Sequence, residues 1–377
     1  MGKVAVHDLV ATTKDRIVVV GRDGEKAKQF AHSFRQSRVT SAVADADHHQ
    51  ELVAAFGEAD VVVNCAQYYV NMQVMNACLD AECHYLDLGG LFHMTKKQLA
   101  LHPRFTKKKL LALLGCGSTP GITNVMAQYG SEMLDRVEEI HISFASYDFI
   151  KHRRMPFVIP YSAYTLLDEF TDKPVILTKG KLKFVGPMSG TEQEIFPEPI
   201  GTVHAFYTLH SELATFPDSF RKKGLRECTF RVTFPDAFVE KIKFLIDLGL
   251  GSRKSIMMGN EKISLRELVA KELNRFLPQD SVVDDMEYLR VLLRGARDKK
   301  PLTVVLDCKA VSNPAQGFPA GSVDTGVPPS ILAQVIVAGT ITERGVLAPE
   351  QCVPPELFFK ELKKRNIHLF VETKGGV

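Results

Sequence analysis

Short apolar runs alternate with helical segments throughout residues 1–118, and no other feature of this chain limits its fold so strongly. Each run is rich in Val, Ile or Leu and ends in polar or small residues. In order along the chain they are IVVV (17–20), VTSAVADA (39–46), DVVVNCA (60–66), HYLDLGG (84–90) and KLLALLGCG (109–117). Continuously apolar strands separated by helices predict an α/β fold, with a doubly wound parallel sheet that carries helices on both faces.

A different pattern begins after PGITNVMAQYGSEML, where Pro120 stands near the start of a predicted helix. The strands become longer and alternate apolar with polar residues, as in VEEIHISFASYDF and ECTFRVTFP, which indicates a mainly antiparallel sheet. We therefore predict an α/β domain of residues 1–118 and 325–377, into which an α+β domain of residues 119–324 is inserted. The final segments VPPSILAQVIVAGTI and ELFFKELKKRNIHLFVE are predicted to be helical.

The charge and cysteine content exclude several classes of protein. The 377 residues include 47 Lys and Arg against 44 Asp and Glu, and these charges are scattered, so neither nucleic acid nor an anionic membrane is implied as a partner. Seven cysteines without a CxxC pair favour reduced thiols over a disulfide framework or a zinc site. Since the chain also lacks a run of about 18 apolar residues, we expect a soluble, cytoplasmic protein without a metal.

Ligands of parallel sheets bind beyond the carboxyl ends of the strands, so the residues that follow the apolar runs are the first candidates for a site. At the end of their second strand, dinucleotide-binding proteins usually place an acidic residue for the ribose hydroxyls or an Arg for a 2′-phosphate, and VVVGRD (18–23) supplies that position here. Here Gly21 leaves space and Arg22 supplies positive charge, which favours NADP as the cofactor. Asp23 keeps NAD as an alternative, because it could reach a ribose or instead cap the next helix.

The ends of the second and third runs supply further candidate contacts with the cofactor. Asp45 lies at the end of the second run, and Asn64, Cys65 and Ala66 lie at the end of the third. Small residues at the latter position let the backbone pass close to the nicotinamide ribose. The alternative for this segment is an ordinary strand that ends in a loop.

Two glycine-rich segments follow the remaining runs. HYLDLGG brings Asp87 to the end of a strand, and Gly89 permits a close approach or a positive φ, although Asp87 could equally cap the following helix. GCGSTPGITN precedes a helix, a combination that suits an anion or a carboxamide at a helix N-terminus. Its candidate substrate contacts are Gly117, Ser118 and Thr119, and the alternative is a loop without a ligand.

Candidate groups for proton transfer and substrate binding come from the predicted α+β domain. In TLHSELATFP, His210 beside a carboxylate could remove a proton from a substrate ammonium, and Ser211 and Glu212 are candidate substrate contacts. The alternative is an ordinary strand-to-helix junction capped by Ser211. In KHRRMPF, Arg153 is a candidate for a substrate carboxylate, or else part of a surface loop.

Together these segments resemble the saccharopine dehydrogenase-like family, and within it most closely the lysine 6-dehydrogenases. The resemblance covers nearly the whole chain. Its most telling stretches are YLDLGGLFHMT, GCGSTPGITNVMAQYG, FPEPIGTVHAFYTLHSELATFP and DTGVPPSILAQVIVAGTITERGVLAPE. It implies a Rossmann domain, an inserted substrate domain that also forms a homodimer or homotetramer, and NAD(P)-dependent chemistry at a C–N bond of a small amino-acid substrate.

The resemblance also implies roles at two further places. Members of the family begin with a strand and a GxGxxG-type turn whose last glycine aligns with Gly2, so we expect such a strand and turn before Met1. The family's turn at Asp324 and Thr325 borders the nicotinamide, which makes Thr325 a candidate cofactor contact. On physical grounds either residue is also a good N-cap for a helix predicted to start near Pro328.

The function expected from this resemblance is that of an NAD(P)-dependent amino-acid dehydrogenase of the lysine 6-dehydrogenase or saccharopine dehydrogenase type. A substrate amine would lose a proton, a hydride would pass to the nicotinamide, and water would hydrolyse the resulting iminium. His210 is the first candidate for the proton acceptor and Asp87 the second. The alternative is a non-catalytic nucleotide-binding or structural relative. Lysine, saccharopine and carboxylated polyamines all remain open as substrates.

Overall fold

The computed structural model describes residues 1–150, 162–275 and 282–375. The chain divides into two compact units. The first unit comprises Met1–Tyr129 and Asp324–His368, and the second comprises Gly130–Val323 and Leu369–Val377.

Residues 1–132 form seven α-helices and five strands, which alternate as the sequence predicts except that α5 and α6 follow one another. The helices are α1 (Gly2–Thr12), α2 (Gly24–Ser33), α3 (His49–Phe56), α4 (Asn71–Ala81), α5 (Leu91–Leu99), α6 (His102–Lys107) and α7 (Ile122–Glu132). The strands are β1 (Ile17–Gly21), β2 (Val39–Val43), β3 (Val61–Asn64), β4 (His84–Asp87) and β5 (Leu111–Leu113). Each predicted apolar run is therefore a strand.

The remaining described residues contain longer strands and fewer helices. The strands are β6 (Arg136–Asp148), β7 (Val175–Thr178), β8 (Lys181–Phe184), β9 (Glu192–Ile195), β10 (Thr202–Tyr207), β11 (Glu227–Thr233), β12 (Ile256–Met258), β13 (Glu261–Ile263), β14 (Asp285–Arg297), β15 (Lys300–Val311), β16 (Gly345–Leu347) and β17 (His368–Gly375). The helices are α8 (Ala163–Thr171), α9 (Phe216–Ser219), α10 (Asp236–Asp247), α11 (Leu265–Arg275), α12 (Ala320–Val337) and α13 (Pro355–Lys363).

The paired strands of the first unit all run parallel. β1 pairs with β2, while β3, β4, β5 and β16 form a second sheet in the order β16-β5-β4-β3. Tyr85 and Leu86 are successive residues of β4 that point to opposite faces, and both are 0% exposed, so the sheet is covered on both sides. The predicted Rossmann-like parallel sheet is confirmed. The carboxyl ends of β3, β4 and β5 lie side by side, with Asn64 opposite Asp87.

The second unit is built on one large sheet. In the described residues its order is β17-β15-β14-β6-β11-β10-β9, with β7 pairing β11 and β8. β6 and β11 are parallel, and the other registered pairs in this sheet are antiparallel. The predicted mainly antiparallel sheet is confirmed. A turn at Lys179 and Gly180 joins β7 to β8, and both residues have positive φ, 50° and 74°, as this type of two-residue hairpin turn requires.

Helix α12 starts well before the predicted position. It begins at Ala320 and contains Pro328 and Pro329 in its interior, so the prediction of a helix start near Pro328 was wrong. The carboxylate of Asp285 accepts hydrogen bonds from the Ala320 main-chain N–H at 3.1 and 3.2 Å, which satisfies a donor at the true start of the helix. Thr325 consequently lies within the helix rather than at its cap.

The final segment also differs from its helical prediction. Helix α13 ends at Lys363, and the chain turns through Asn366, whose φ is +62°. The Ile367 N–H donates to the Leu362 carbonyl at 3.1 Å, a bond typical of a helix C-terminus closed by a left-handed residue. HLFVETKG then forms the edge strand β17 of the second unit's sheet.

Candidate functional site

The carboxyl end of β1 presents a positive charge without an internal partner. Arg22 is exposed and makes no hydrogen bond or ion pair with the described part of the chain. Asp23 is occupied, since it caps α2 by accepting from the Lys26 N–H at 3.1 Å and pairs with the Lys26 ammonium at 3.0 Å. These hydrogen bonds, led by the main-chain N–H of Lys26, lower the pKa of Asp23. The arrangement fits a 2′-phosphate, because the guanidinium faces solvent while the carboxylate serves the helix.

Asp45, which follows β2, takes part in a local turn. It is half-buried, and its carboxylate accepts from the Asp47 N–H at 3.1 Å. Its own N–H donates to the Glu51 carboxylate at 3.0 Å. The side chain thus stabilises the loop between β2 and α3.

The loop after β3 is held by the side chain of Asn64, which is 6% exposed. Its Oδ1 accepts from the Ala66 N–H at 3.1 Å. Its Nδ2 lies 2.9 Å from Asn71 Oδ1 and 3.2 Å from the Tyr85 hydroxyl. The conformation of residues 64–66 is therefore tied to α4 and β4.

Cys65 and Gly2 lie against one another at the start of α1. A Cβ built on Gly2 would lie 3.3 Å from Cys65 Cβ, which is tighter than most real contacts, so glycine lets α1 approach the loop after β3. Burial raises the pKa of the Cys65 thiol to about 11, which favours the protonated thiol at neutral pH.

Asp87 is the centre of a buried hydrogen-bond network at the carboxyl end of β4. The residue is 1% exposed, and five groups donate to its carboxylate. Oδ1 accepts from the N–H groups of Gly89 (2.9 Å) and Gly115 (2.7 Å), and Oδ2 accepts from Gln98 Nε2 (2.6 Å), the Tyr85 hydroxyl (3.0 Å) and Asn71 Nδ2 (3.1 Å). Burial raises the pKa of Asp87, while the hydrogen bonds, led by that from Gly115, act in the opposite direction.

The turn after β5 is closed by main-chain hydrogen bonds. The Gly117 N–H donates to the Pro120 carbonyl at 2.8 Å, and the Gly117 carbonyl accepts from the Ile122 N–H at 3.0 Å, at the start of α7. The peptide bond between Thr119 and Pro120 is cis. Gly121 has a φ of +136°, and a Cβ there would lie 2.0 Å from the Gly117 oxygen, so only glycine fits.

Thr325 of α12 joins this turn. The Ser118 and Thr325 hydroxyl oxygens lie 3.0 Å apart. A Cβ on Gly117 would lie 3.1 Å from the Thr325 methyl group. The first unit therefore brings Thr325 against Gly117 and Ser118, although Thr325 lies about 200 positions later in the sequence. Thr119 is half-buried in the same turn.

In the second unit, His210 and Glu212 form a buried pair. His210 Nδ1 is hydrogen-bonded to the Glu212 carboxylate, and the two residues are 7% and 0% exposed. The imidazole stacks on Phe230 of β11 with ring centroids 3.7 Å apart and planes 2° from parallel. Both contacts fix the orientation of the imidazole. Because a carboxylate engages Nδ1, Nε2 is the nitrogen that can accept a proton.

Two further residues were predicted to contact the substrate, Ser211 and Arg153. Ser211 is buried beside the pair, and its side chain makes no cap bond to the short helical turn that follows. Arg153 lies outside the described residues.

Sequence reasoning missed the partners that hold the candidate residues. Tyr85 could have been found, because it lies two positions before Asp87 on a strand and must face the same side. Asn71 and Gln98 reach Asp87 from helices α4 and α5, and Phe230 reaches His210 from β11. No sequence pattern signals those three.

Within residues 1–150, 162–275 and 282–375, every helix is too short or too polar to span a lipid bilayer. The same residues gather no group of three or more His, Cys, Asp or Glu side chains that could hold a metal ion.

Comparison with known families gives two matches that together cover most of the chain. Residues 1–113 match the saccharopine dehydrogenase NADP-binding domain, and residues 117–367 match the saccharopine dehydrogenase C-terminal domain. The predicted NADP cofactor is thereby confirmed.

Relatives and solved structures agree with these matches. Carboxyaminopropylagmatine dehydrogenase of Synechocystis sp. is 25% identical, covering 97% of this chain and 94% of the relative. Carboxynorspermidine synthase of Vibrio cholerae is 23% identical, covering 90% and 86%. The structure of saccharopine dehydrogenase (L-Glu forming) from Saccharomyces cerevisiae superposes with a TM-score of 0.78 at 16% identity, covering 99% and 98%. Homospermidine synthase of Legionella pneumophila, solved in complex with NAD, gives 0.63 at 14% identity, covering 96% and 92%.

Proposed function

Because the chain belongs to the saccharopine dehydrogenase family, whose members are NAD(P)-dependent oxidoreductases of C–N bonds, we propose that it oxidises or forms the C–N bond of a carboxylated amine with NADP. The full-length similarity to carboxyaminopropylagmatine dehydrogenase and carboxynorspermidine synthase supports this substrate class. Lysine, the substrate suggested by the sequence resemblance, is the second candidate.

The observation that carries the catalytic part of the proposal is the buried His210–Glu212 pair. A substrate amine is an ammonium at neutral pH, and it must lose a proton before a hydride can leave the neighbouring carbon. His210 Nε2 accepts that proton while Glu212 stabilises the imidazolium through Nδ1. Bound NADP supplies the hydride acceptor. Water then adds to the iminium, which separates into a carbonyl compound and an amine, and the reductive direction reverses these steps.

The cofactor preference rests on Arg22. Its guanidinium has no partner in the described residues, and it stands at the carboxyl end of β1, where such sheets bind the adenosine ribose. A 2′-phosphate there gains a charge-assisted contact that NADH cannot make.

The test measures NADPH formation from NADP⁺ with carboxynorspermidine, carboxyaminopropylagmatine, saccharopine and lysine. With the best substrate, His210→Asn should lower turnover by about 10²–10⁴-fold, the range for a general base, with unchanged NADPH affinity. The matched control is His204→Asn, since His204 on β10 also pairs with a carboxylate, Asp236 at 3.1 Å, but is exposed. The control should keep full turnover.

Two results would contradict the proposal. Full turnover in His210→Asn removes the proton-transfer role from this pair. Failure of the wild-type protein to bind NADPH contradicts the oxidoreductase function itself and favours a structural relative.

A further inference from the structure

We propose that Asp87 is a positioning residue whose carboxylate holds the loops after β3, β4 and β5 in one arrangement that receives the nicotinamide half of the cofactor. This inference rests on the proposed function, since it assumes that a nicotinamide nucleotide binds the first unit. It assigns Asp87 a role different from that of a proton acceptor.

Asp87 Oδ1 bridges the turns that follow β4 and β5. It accepts from the Gly89 N–H at 2.9 Å and from the Gly115 N–H at 2.7 Å. The two glycines follow neighbouring strands and have φ values of +118° and +70°. Since N–H groups in such turns lie outside the sheet ladder, the carboxylate supplies the partner that fixes the turns relative to each other.

Asp87 Oδ2 extends the hydrogen-bond network to the loop after β3. Asn71 donates to Oδ2 at 3.1 Å and accepts from Asn64 Nδ2 at 2.9 Å. Asn64 in turn accepts from the Ala66 N–H at 3.1 Å. One continuous set of hydrogen bonds therefore joins all three loops at the carboxyl edge of the sheet, where nucleotides bind in this fold class.

The hydrogen bonds and the burial of Asp87 argue against a role as the proton acceptor. A carboxylate offers about four lone-pair directions, and the Asp87 carboxylate already accepts five hydrogen bonds. The side chain is 1% exposed, so a substrate amine cannot approach it without breaking this network.

The network is also confined to one part of the first unit. Its members come from β3, β4, α4, α5 and the turn after β5, whereas Arg22 follows β1, which pairs with β2 in a separate sheet. A defect at Asp87 should therefore affect the nicotinamide half of the nucleotide and leave the 2′-phosphate half unchanged.

The experiment compares Asp87→Asn with Asp87→Leu in the full chain. Asparagine keeps a carbonyl oxygen that can accept from the N–H groups of Gly89 and Gly115. Its NH₂ group would face the Tyr85 hydroxyl and the amides of Gln98 and Asn71, which can reorient. Leucine has similar size and accepts nothing. NADPH is titrated by nicotinamide fluorescence, adenosine 2′,5′-bisphosphate is titrated by calorimetry, and unfolding is followed by circular dichroism.

The Leu variant should bind NADPH at least about tenfold more weakly, as expected when main-chain donors lose their acceptor, and should bind the bisphosphate within about twofold of wild type. The Asn variant should stay within about threefold for both ligands and should retain most of its turnover. Asn64→Ala provides a second variant if the Leu variant does not fold, because it removes the acceptor of the Ala66 N–H and the links to Asn71 and Tyr85 but keeps the Asp87 carboxylate. It should weaken NADPH binding with no effect on the bisphosphate.

The outcomes separate the two proposals. If wild type binds NADPH and neither Asp87→Leu nor Asn64→Ala weakens that binding selectively, the positioning role is wrong and the proposed function stands. If Asp87→Asn binds NADPH normally but loses about 10²-fold or more in turnover, Asp87 is a catalytic residue and the inference fails. If wild type binds neither ligand, the proposed function fails, and a role in positioning the cofactor fails with it.

Discussion

Replacement of Arg22 by alanine tests whether this side chain selects NADPH over NADH. The guanidinium is exposed and has no bond to the described residues, so its removal should leave the free energy of unfolding within about 0.5 kcal/mol of wild type. Any effect on NADPH binding can then be assigned to the contact with the nucleotide.

The expected loss follows from the type and exposure of that contact. A hydrogen bond to a charged group contributes about 1.5–3 kcal/mol, and solvent screening at an exposed site favours the lower part of this range. A loss of about 1.5–2 kcal/mol corresponds to about 12- to 30-fold weaker NADPH binding. NADH lacks the 2′-phosphate, so its affinity should change by less than about twofold, and the NADPH effect should shrink as ionic strength rises.

The assay is fluorescence titration of both nucleotides at low and high salt. Arg16→Ala is the matched control, because Arg16 immediately precedes β1 at the opposite end of the strand and pairs with Glu58. It should leave both affinities unchanged. Equal losses of NADPH and NADH affinity in Arg22→Ala, or no loss of either, would refute the assignment of Arg22 to the 2′-phosphate.

Two further predictions concern stability. Burial, followed by the charge of Arg344, lowers the pKa of His84, whose ring accepts from a main-chain N–H of β5 at 2.9 Å. Because the pKa of His84 in the folded protein lies below the unfolded value of about 6.5, the contribution of neutral His84 to stability is complete above pH 6.5 and is lost as pH falls towards the folded pKa. The melting temperature should therefore drop in acid, and it should drop less in His84→Asn. In urea unfolding, Gly121→Ala should lower the free energy of unfolding by more than about 3 kcal/mol, because the new Cβ would lie 2.0 Å from the Gly117 oxygen. Gly180 also has a positive φ, but a Cβ there would have nothing within 4 Å, so Gly180→Ala should lower it by only about 1 kcal/mol. Similar losses for the two glycines would contradict the steric argument, and a His84→Asn protein with the wild-type pH dependence would contradict the electrostatic one.

The sequence sufficed to predict the sheets, because their signal is local. Runs such as DVVVNC and HYLDLG carry both the apolar stretch and the polar residue that ends it, so the strands and the positions of Asn64 and Asp87 at their carboxyl ends followed directly. The mainly antiparallel sheet followed in the same way from two-residue alternation.

The errors arose where a distant residue decides local structure. The two prolines of α12 are typical of a helix start, yet the helix begins at Ala320 because Asp285, 35 positions earlier, satisfies its N–H. The role of Asp87 was equally hidden. A carboxylate at a strand end is consistent with a ligand contact, a cap or a base, and only the tertiary positions of Asn71 and Gln98 show that its acceptor sites are already filled.

The division of the chain has a consequence for the order in which the protein folds during synthesis. The chain passes between the units three times, after Tyr129, Val323 and His368. The first unit is incomplete until β16 is made, about 230 residues after its neighbour β5, and the second is incomplete until β17 is made. Until then β5 and β15 each present an open edge that can pair with another chain. Neither unit can therefore be cut out as a continuous piece, because each is made of two separate chain segments.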